Sequence, residues 1–328
     1  MDVKIIDKGQ ALDSTSDNIK YYSLNNEYLR GLAFQNGFYR LRATDYVSDN
    51  VRRLNRHPSG VNISFKTNST RIKINTKLTT KAYMDHMTAI GQIGFDLYYK
   101  HQGKYVFLAT TNVNAKEYDI TIIGDLGNDE KEYRLYFPLY AEVVDAYIGI
   151  DSDANIEFSK EAQEKVVIYG TSISQGGCAT RPGMSYTNIL DRNTNYEFIN
   201  LGFSGSAHLE LEMADIINKI DMKYLILEVE ANNTHQSLVD NLPAFIDRLT
   251  CDKIFLISHF PETTNLIKPE YSAVTEANYQ FQKQMDKVVF IDGHALLVEL
   301  DYDGTVDGVH LTDLGFYTLA KKLLEYIK

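Results

Sequence analysis

The stretch VVIYGTSISQGG, residues 166–177, decides the fold. Its leading apolar and aromatic residues read as a buried strand, and Gly170, Thr171 and Ser172 follow where the carboxyl edge of an α/β sheet presents a loop. Ser172 is then either a nucleophile held out at that edge or the N-cap of the next helix, and the surrounding chain has to decide between the two.

Outward from this stretch the rhythm is regular. From about residue 160, short apolar strands VVIYG (166–170), YEFINLG (196–202), KYLILEVE (223–230), KIFLISHF (253–260) and VVFIDG (288–293) alternate with helix-period segments near 183–192, 209–220, 236–250, 270–287 and 311–327. That order predicts right-handed crossovers and a doubly wound five-stranded parallel sheet, an α/β fold with helices on both faces. From about residue 20 to 150 the apolar residues instead alternate, in VNISFKT (61–67), RIKINTKL (71–78), FDLYY (95–99), YVFLA (105–109), YDITII (118–123) and YRLYFPLY (133–140). Turn signals separate these runs and no helix of any length is expected among them, which predicts an antiparallel β-sandwich. The polar stretch DSDANIEFSKEAQ (151–163) parts the two patterns. The chain is therefore read as a sandwich over 1–157 followed by an α/β domain over 158–328.

Bulk properties agree with two domains: 328 residues exceed the usual single-domain size. The net charge of −11 disfavours a nucleic-acid partner, because binding a phosphate backbone depends on lysine and arginine releasing counterions. No apolar run is long enough to cross a bilayer, so no membrane partner is expected. MDVKIIDKGQALD lacks the pattern of a signal peptide. A cytoplasmic protein is the expectation, or a secreted one if a leader has been trimmed. Two cysteines, Cys178 and Cys251, form no CxxC pair and no disulfide framework. With no Trp and 23 Tyr, any surface that stacks on a sugar has to use Tyr or Phe.

Chemistry in a doubly wound sheet collects at the carboxyl ends of the strands. After the first comes GTSISQGG, after the second NLGFSGSAH, after the third EVEANNTH, and beyond the fifth DGTVDGVHLTDLG. A serine, a glycine turn, an asparagine and a DxxH pair thus converge on one edge. Acyl transfer needs these types: an imidazole to take the serine proton, a carboxylate to fix its tautomer, and donors aimed at a developing oxyanion. Asp307 and His310 can supply the pair from one turn. Backbone N–H groups at Ser172 and Gly205, with the Asn232 amide, can supply three donors.

The blocks GTSISQG, NLGFSG, EANN and DGVH, in this order, closely resemble the four sequence blocks of the SGNH (GDSL-like) hydrolase superfamily. The resemblance covers the C-terminal half, and its first and last blocks are the most specific. Matched block by block it places the nucleophile on Ser172, the oxyanion hole on Ser172, Gly205 and Asn232, and the acid and base on Asp307 and His310. It implies a flavodoxin-like SGNH fold and chemistry with no cofactor and no metal. A β-rich half ahead of such a domain resembles the jelly-roll modules of two-domain carbohydrate esterases. Two departures stand out. Thr171 occupies a position where the family often has Asp, and the third block lacks the glycine-rich GxND form, leaving Asn233 as a rival that falls later after the strand than Asn232.

Each residue also has a plainer reading. Ser172 alone is more often a helix cap, Gly205 can simply permit a positive φ, Asn232 can close an Asx turn, and a lone His310 is more often structural. Ser174 is a local rival to Ser172, but GTSISQG is not GxSxG, and no lysine follows to make a P-loop. Asp301, Asp303 and Asp313 are substitutes for Asp307. Glu228 and Glu230 form a pair two apart that a glycosidase would use, although acids in a buried strand more often accept hydrogen bonds. His208, His235, His259 and His294 show no metal-ligand spacing; His208 and His259 are candidates to line a cleft, and Cys178 is a small core residue near the pocket. The expectation is a serine esterase that removes O-acetyl groups from carbohydrate through an acyl-enzyme. A lipid or thioester acyl hydrolase and a non-catalytic carbohydrate-binding protein are the alternatives. No motif encodes the sugar, the hydroxyl position or an oligomeric state.

Overall fold

Side chains alternate about a strand, so a run with every second residue apolar has one face to bury, and in the first half of the chain a second sheet buries it. The computed structural model describes residues 18–161, 163–267 and 286–327. Nine strands make the two antiparallel sheets: β1 (Ile19–Ser23), β2 (Asn62–Thr67), β3 (Ile72–Leu78), β4 (Asp96–His101), β5 (Lys104–Thr110), β6 (Glu117–Ile123), β7 (Lys131–Tyr136), β8 (Val143–Asp151) and β9 (Ile156–Ser159). Their orders are β1-β8-β3-β6 and β5-β4-β7-β2-β9. Ile63 and Phe65 of β2, Ile72 and Ile74 of β3, Leu135 of β7 and Ile148 of β8 fill the space between them.

The sandwich departs from the sequence reading in three places. Helices do occur in this half, α1 (Asp49–Leu54) and a second at Ala89–Ile93, each too short for a helical period to show. YRLYFPLY stops being strand at Tyr136, before Pro138, which cannot donate to a ladder. Inside the polar stretch 151–163, β9 pairs with β2 through Phe158↔Phe65, so the antiparallel layer runs to Ser159.

The second half forms a parallel sheet of β10 (Lys165–Gly170), β11 (Glu197–Gly202), β12 (Tyr224–Glu228), β13 (Ile254–Ile257) and β14 (Val288–Ile291), in the order β11-β10-β12-β13-β14. The chain therefore leaves β10 to one side and returns to its other side, which creates a topological switch point at the end of β10. Both faces are covered. Val167 and Tyr169 join the core beneath the helices Leu211–Ile217 and His235–Arg248, while Val166 and Ile168 join the one beneath Tyr186–Asn193 and Asp313–Leu323. This is why these strands read as unbroken apolar runs. The helix expected at 270–287 falls, up to residue 285, outside the described residues. No helix among the described residues is long and apolar enough to cross a membrane.

Register positions the site. Gly170 lies level with Gly202 on one side and Glu228 on the other, so three strands end together and release their loops at one edge. A Cβ on Gly170 would meet the Ser174 hydroxyl at 2.2 Å, so only glycine lets the next helix fold back this tightly. Buried polar contacts fix the sandwich against the α/β half. The Arg40 guanidinium donates to the carbonyls of Gly202 (2.6 Å) and Asn200 (3.1 Å). The Asp191 carboxylate accepts from Arg134 (2.8 Å), Arg30 (3.2 Å) and the Tyr136 hydroxyl (3.0 Å).

Candidate active site

The cap of the helix Ser172–Gln175 is Thr171, whose hydroxyl accepts from the Ile173 N–H at 3.2 Å. Ser172 therefore stands in the first helical turn, not at the cap, and its hydroxyl is available for another partner. That partner is His310: Ser172 Oγ and His310 Nε2 are 2.9 Å apart, and His310 Nδ1 and Asp307 Oδ2 are 2.7 Å apart. The structure thus brings the serine, histidine and aspartate into one hydrogen-bonded chain.

Asp307 reaches His310 because its turn is closed locally. Its Oδ1 accepts the N–H groups of Val309 (3.1 Å) and His310 (2.8 Å), and Gly308 takes a φ of +89° that a side chain would strain. Partial burial pushes the Asp307 carboxyl up. The bonds from the His310 ring and from these two N–H groups outweigh that and hold it below the ordinary carboxylate range. Asp313, one of its rivals, is engaged elsewhere, with the Thr180 N–H at 2.9 Å. Ser174, the rival to Ser172, is buried with its hydroxyl on Tyr186 (2.7 Å) and Glu228 (2.9 Å).

The oxyanion candidates lie on the same edge. Neither the Ser172 nor the Gly205 N–H has a partner among the described residues, and Gly205 has a φ of +61°. The amide of Asn232 gives one N–H to the Ser206 carbonyl. Asn233 gives both of its own, to Ala207 and Val229 at 2.8 Å each. A side-chain amide carries two donors, so Asn232 retains one and Asn233 none.

Glu228 and Glu230 do not form a pair on one strand face. β12 ends at Glu228 and Glu230 opens a 3₁₀ turn, which breaks the alternation. Glu228 is fully buried and accepts from the Thr171 N–H (3.2 Å) and hydroxyl (2.7 Å) as well as from Ser174. Burial raises its pKa, and those bonds only partly oppose the shift. Glu230 accepts from the His259 N–H at 2.8 Å, and His259 lines a small crevice with Gly308 and Val309 beside His310. His208 is exposed and donates its N–H to Glu210 at 3.0 Å.

The sandwich adds residues that sequence reading did not single out. Asn50 of α1 donates to the Ser204 carbonyl (3.1 Å) and the Ser206 hydroxyl (2.8 Å), and the Tyr140 hydroxyl donates to the Ser172 carbonyl (3.3 Å). The His86 ring lies 5.4 Å from that of His310. His86, Cys178 and His310 are the one set among the described residues that could hold a metal, with ligand atoms within 4.8 Å of one another. An ion there would compete with Ser172 for His310. Burial, and then the Asp307 charge, push the Cys178 thiol up to about 12, which keeps it protonated and opposes metal binding. Only long-range contacts unite these residues, so no local spacing could have flagged them.

Comparison with known proteins follows the same division. The profile of the GDSL-like lipase/acylhydrolase family matches residues 163–328, and that of GxDLY, the N-terminus of SGNH-hydrolase-type esterases, matches residues 19–156. The chain carries GFDLY at 94–98, and Asp96 there accepts from Arg181 and the Gly183 N–H, both at 2.8 Å, across the boundary between the halves. A crystal structure from Bacteroides ovatus, described as a GDSL-like lipase, is 32% identical with a TM-score of 0.88, covering 94% of this chain and 97% of that one. The salicylyl-acyltransferase SsfX3 of a tetracycline biosynthetic pathway is 17% identical with a TM-score of 0.72, covering 94% and 97%. A family two carbohydrate esterase from Clostridium thermocellum, in complex with cellohexaose, is 14% identical with a TM-score of 0.57, covering 82% and 92%. The last two share the fold. No curated protein matches the chain. On the profile match and the Bacteroides ovatus relative, this chain belongs to the GDSL-like lipase/acylhydrolase family.

Proposed function

We propose that this protein is a serine esterase that removes O-acetyl groups from carbohydrate. The observation that carries the reading is the unbroken chain from Ser172 Oγ through the His310 ring to the Asp307 carboxylate. His310 takes the Ser172 proton as the hydroxyl attacks the ester carbonyl, then returns it to the departing sugar oxygen. Asp307 holds the tautomer that leaves Nε2 free to accept, and stabilises the imidazolium. The Ser172 and Gly205 N–H groups and the remaining Asn232 N–H receive the oxyanion. Water activated by His310 then releases acetate from the acyl-serine.

Carbohydrate as the alcohol rests on the two-part architecture. A family two carbohydrate esterase that holds cellohexaose has a similar fold, and in this chain side chains of the first half bond to Ser172, Ser204 and Ser206. Acetate release from O-acetylated oligosaccharides, together with p-nitrophenyl esters of increasing chain length, tests the proposal. Wild type should release acetate, and Ser172→Ala should lose at least about a hundredfold in kcat/KM. Hydrolysis unchanged in Ser172→Ala overturns the nucleophile. Absence of hydrolysis from every ester brings forward a carbohydrate-binding role without catalysis, and a preference for long acyl chains brings forward a lipid substrate.

A further inference from the structure

α1 and the turn after it deliver three arginines, Arg52, Arg53 and Arg56, to the wall of a cavity of about 450 Å3. That volume lies within the roughly 300–1,000 Å3 typical of small-molecule sites. Two carboxylates share the lining, Asp49 and Glu142. Glu142 faces Arg56 at 3.4 Å and accepts the Tyr39 hydroxyl at 2.9 Å. Arg53 is held at 2.7 Å by the amide oxygen of Asn50, a neutral acceptor, and the Arg52 side chain makes no hydrogen bond or ion pair among the described residues. His57, also in the wall, adds no charge, because burial and then the charges of Arg40 and Arg53 hold its imidazole down to about 3.

Two guanidinium groups thus face the cavity without a carboxylate partner, in a chain whose net charge is −11. An acidic surface repels anions, so a local excess of cations runs against the field of the whole molecule. Cations in the last turn of a helix also answer its carbonyl end, but in a helix as short as Asp49–Leu54 that effect is weak and does not explain a cavity.

Side chains of the wall reach residues that surround Ser172 and His310. Tyr140 lines the cavity and holds the Ser172 carbonyl, and His57 meets the Gln175 amide (3.3 Å), whose Oε1 accepts the Ser204 N–H (2.9 Å). Tyr83 lines it as well, and three residues further along the chain the His86 ring lies 5.4 Å from that of His310.

We propose that this cavity is a subsite for an anionic group on the substrate, a carboxylate or sulfate borne by the sugar near the ester, held by the guanidinium groups of Arg52 and Arg53. Planar guanidinium groups suit both anions through paired N–H donors. The assignment rests on the esterase reading above and specifies its substrate as an acetylated acidic carbohydrate.

The test compares kcat/KM for O-acetylated oligogalacturonates, O-acetylated sulfated oligosaccharides and neutral O-acetylated xylo-oligosaccharides. Wild type should favour an acidic substrate by at least about tenfold, chiefly through KM, and the acidic arm that carries the preference names the anion. The preference should shrink between about 20 mM and about 0.5 M NaCl as screening sets in. In the double variant Arg52→Gln/Arg53→Gln the ratio of acidic to neutral should fall to within about twofold of unity. Equal rates on acidic and neutral substrates in wild type, or a preference intact in the double variant, overturns the subsite. Calorimetry of Ser172→Ala protein with unacetylated oligogalacturonate and sulfated oligosaccharide separates this from the chemistry. Binding that disappears on adding the two arginine substitutions supports the subsite even if no ester is cleaved, in which case the esterase reading alone fails. Binding of neither anion, or binding indifferent to the arginines, overturns it.

Discussion

The turn that carries Ser172 and the turn that carries His310 meet across a 2.9 Å hydrogen bond, yet they are held by different means. Around Ser172 every neighbour is buried and its partners come from far along the chain. Thr171 and Ser174 bond to Glu228, the Gln175 amide to the Leu139 carbonyl, the Asn200 amide to the Ser174 carbonyl, and Tyr140 to Ser172 itself. Around His310 the ties are local: Val306 N–H to the His310 carbonyl at 2.8 Å, Gly308 N–H to the Thr305 hydroxyl at 3.1 Å, and the Asp307 carboxylate to the two N–H groups that follow it. Asp307 and Val309 are exposed. Substitution on the serine side should therefore disturb fold and chemistry together, and on the histidine side chemistry alone.

Asp307→Asn gives the largest separation of the two. An amide keeps the oxygen that receives the backbone N–H groups but disturbs the His310 tautomer, so kcat/KM should fall by about 10²–10⁴-fold. Because the turn is exposed and locally tied, Tm should move by no more than about 2 °C. A fall in Tm of more than about 5 °C would mean that the histidine turn also supports the fold, and the contrast collapses. The pH sign follows from the depressed carboxyl. Its contribution is present above the pKa of an unfolded aspartate and is lost only as pH falls through the lower folded value, so the Asp307–His310 bond survives mild acid in wild type.

The two asparagines sharpen the comparison within a single loop. Asn232→Ala should lower kcat by about a hundredfold, the cost of one oxyanion donor, with a small change in Tm. Asn233→Ala removes both of its bonds to buried carbonyls and should cost about 1–3 kcal/mol in stability while leaving kcat within about threefold. Urea denaturation and steady-state kinetics on the pair distinguish the two roles. The reverse pattern moves the oxyanion donor to Asn233.

Sequence made the framework legible because the parallel strands are buried on both faces and read as apolar runs, the first three ending in Gly or Glu. The first three runs and the fifth then each handed over one of four blocks at a common edge. Gly170, Gly202 and Glu228 end level, which is why residues from 172 to 310 could be placed together without coordinates. What escaped notice depends on contacts without a local period. α1 and Ala89–Ile93 are shorter than two helical turns. β9 is a four-residue edge strand within a polar stretch, recognisable only by its partner β2. Tyr140, Asn50 and His86 reach the site from the sandwich, where nothing near them in sequence hints at a serine some 30–120 residues away. Thr171, read only as a departure from Asp, is the helix cap and the partner of Glu228 at once.

That last pairing yields the smallest and most discriminating prediction. A carboxylate at position 171 would stand beside the buried Glu228 carboxyl, where Thr171 Oγ1 and Glu228 Oε2 are 2.7 Å apart, and like charges that close cannot both ionise. Thr171→Asp should therefore destabilise the protein, and Glu228→Gln introduced with it should relieve the loss. Glu228→Gln alone isolates the buried acid. Burial raises the Glu228 pKa, so the folded protein keeps a proton that the unfolded chain has released, and wild type loses stability as pH rises from the ordinary carboxylate range through the folded value. Glutamine has no proton to lose and its oxygen can accept the same bonds from Thr171 and Ser174. Its Tm advantage should therefore grow as pH rises above the ordinary carboxylate range, with kcat/KM within about threefold of wild type. An advantage that shrinks with rising pH would show that the carboxylate is stabilised where it lies. A loss of activity beyond about tenfold without a change in Tm would make Glu228 part of the chemistry and not the clamp beneath Ser172.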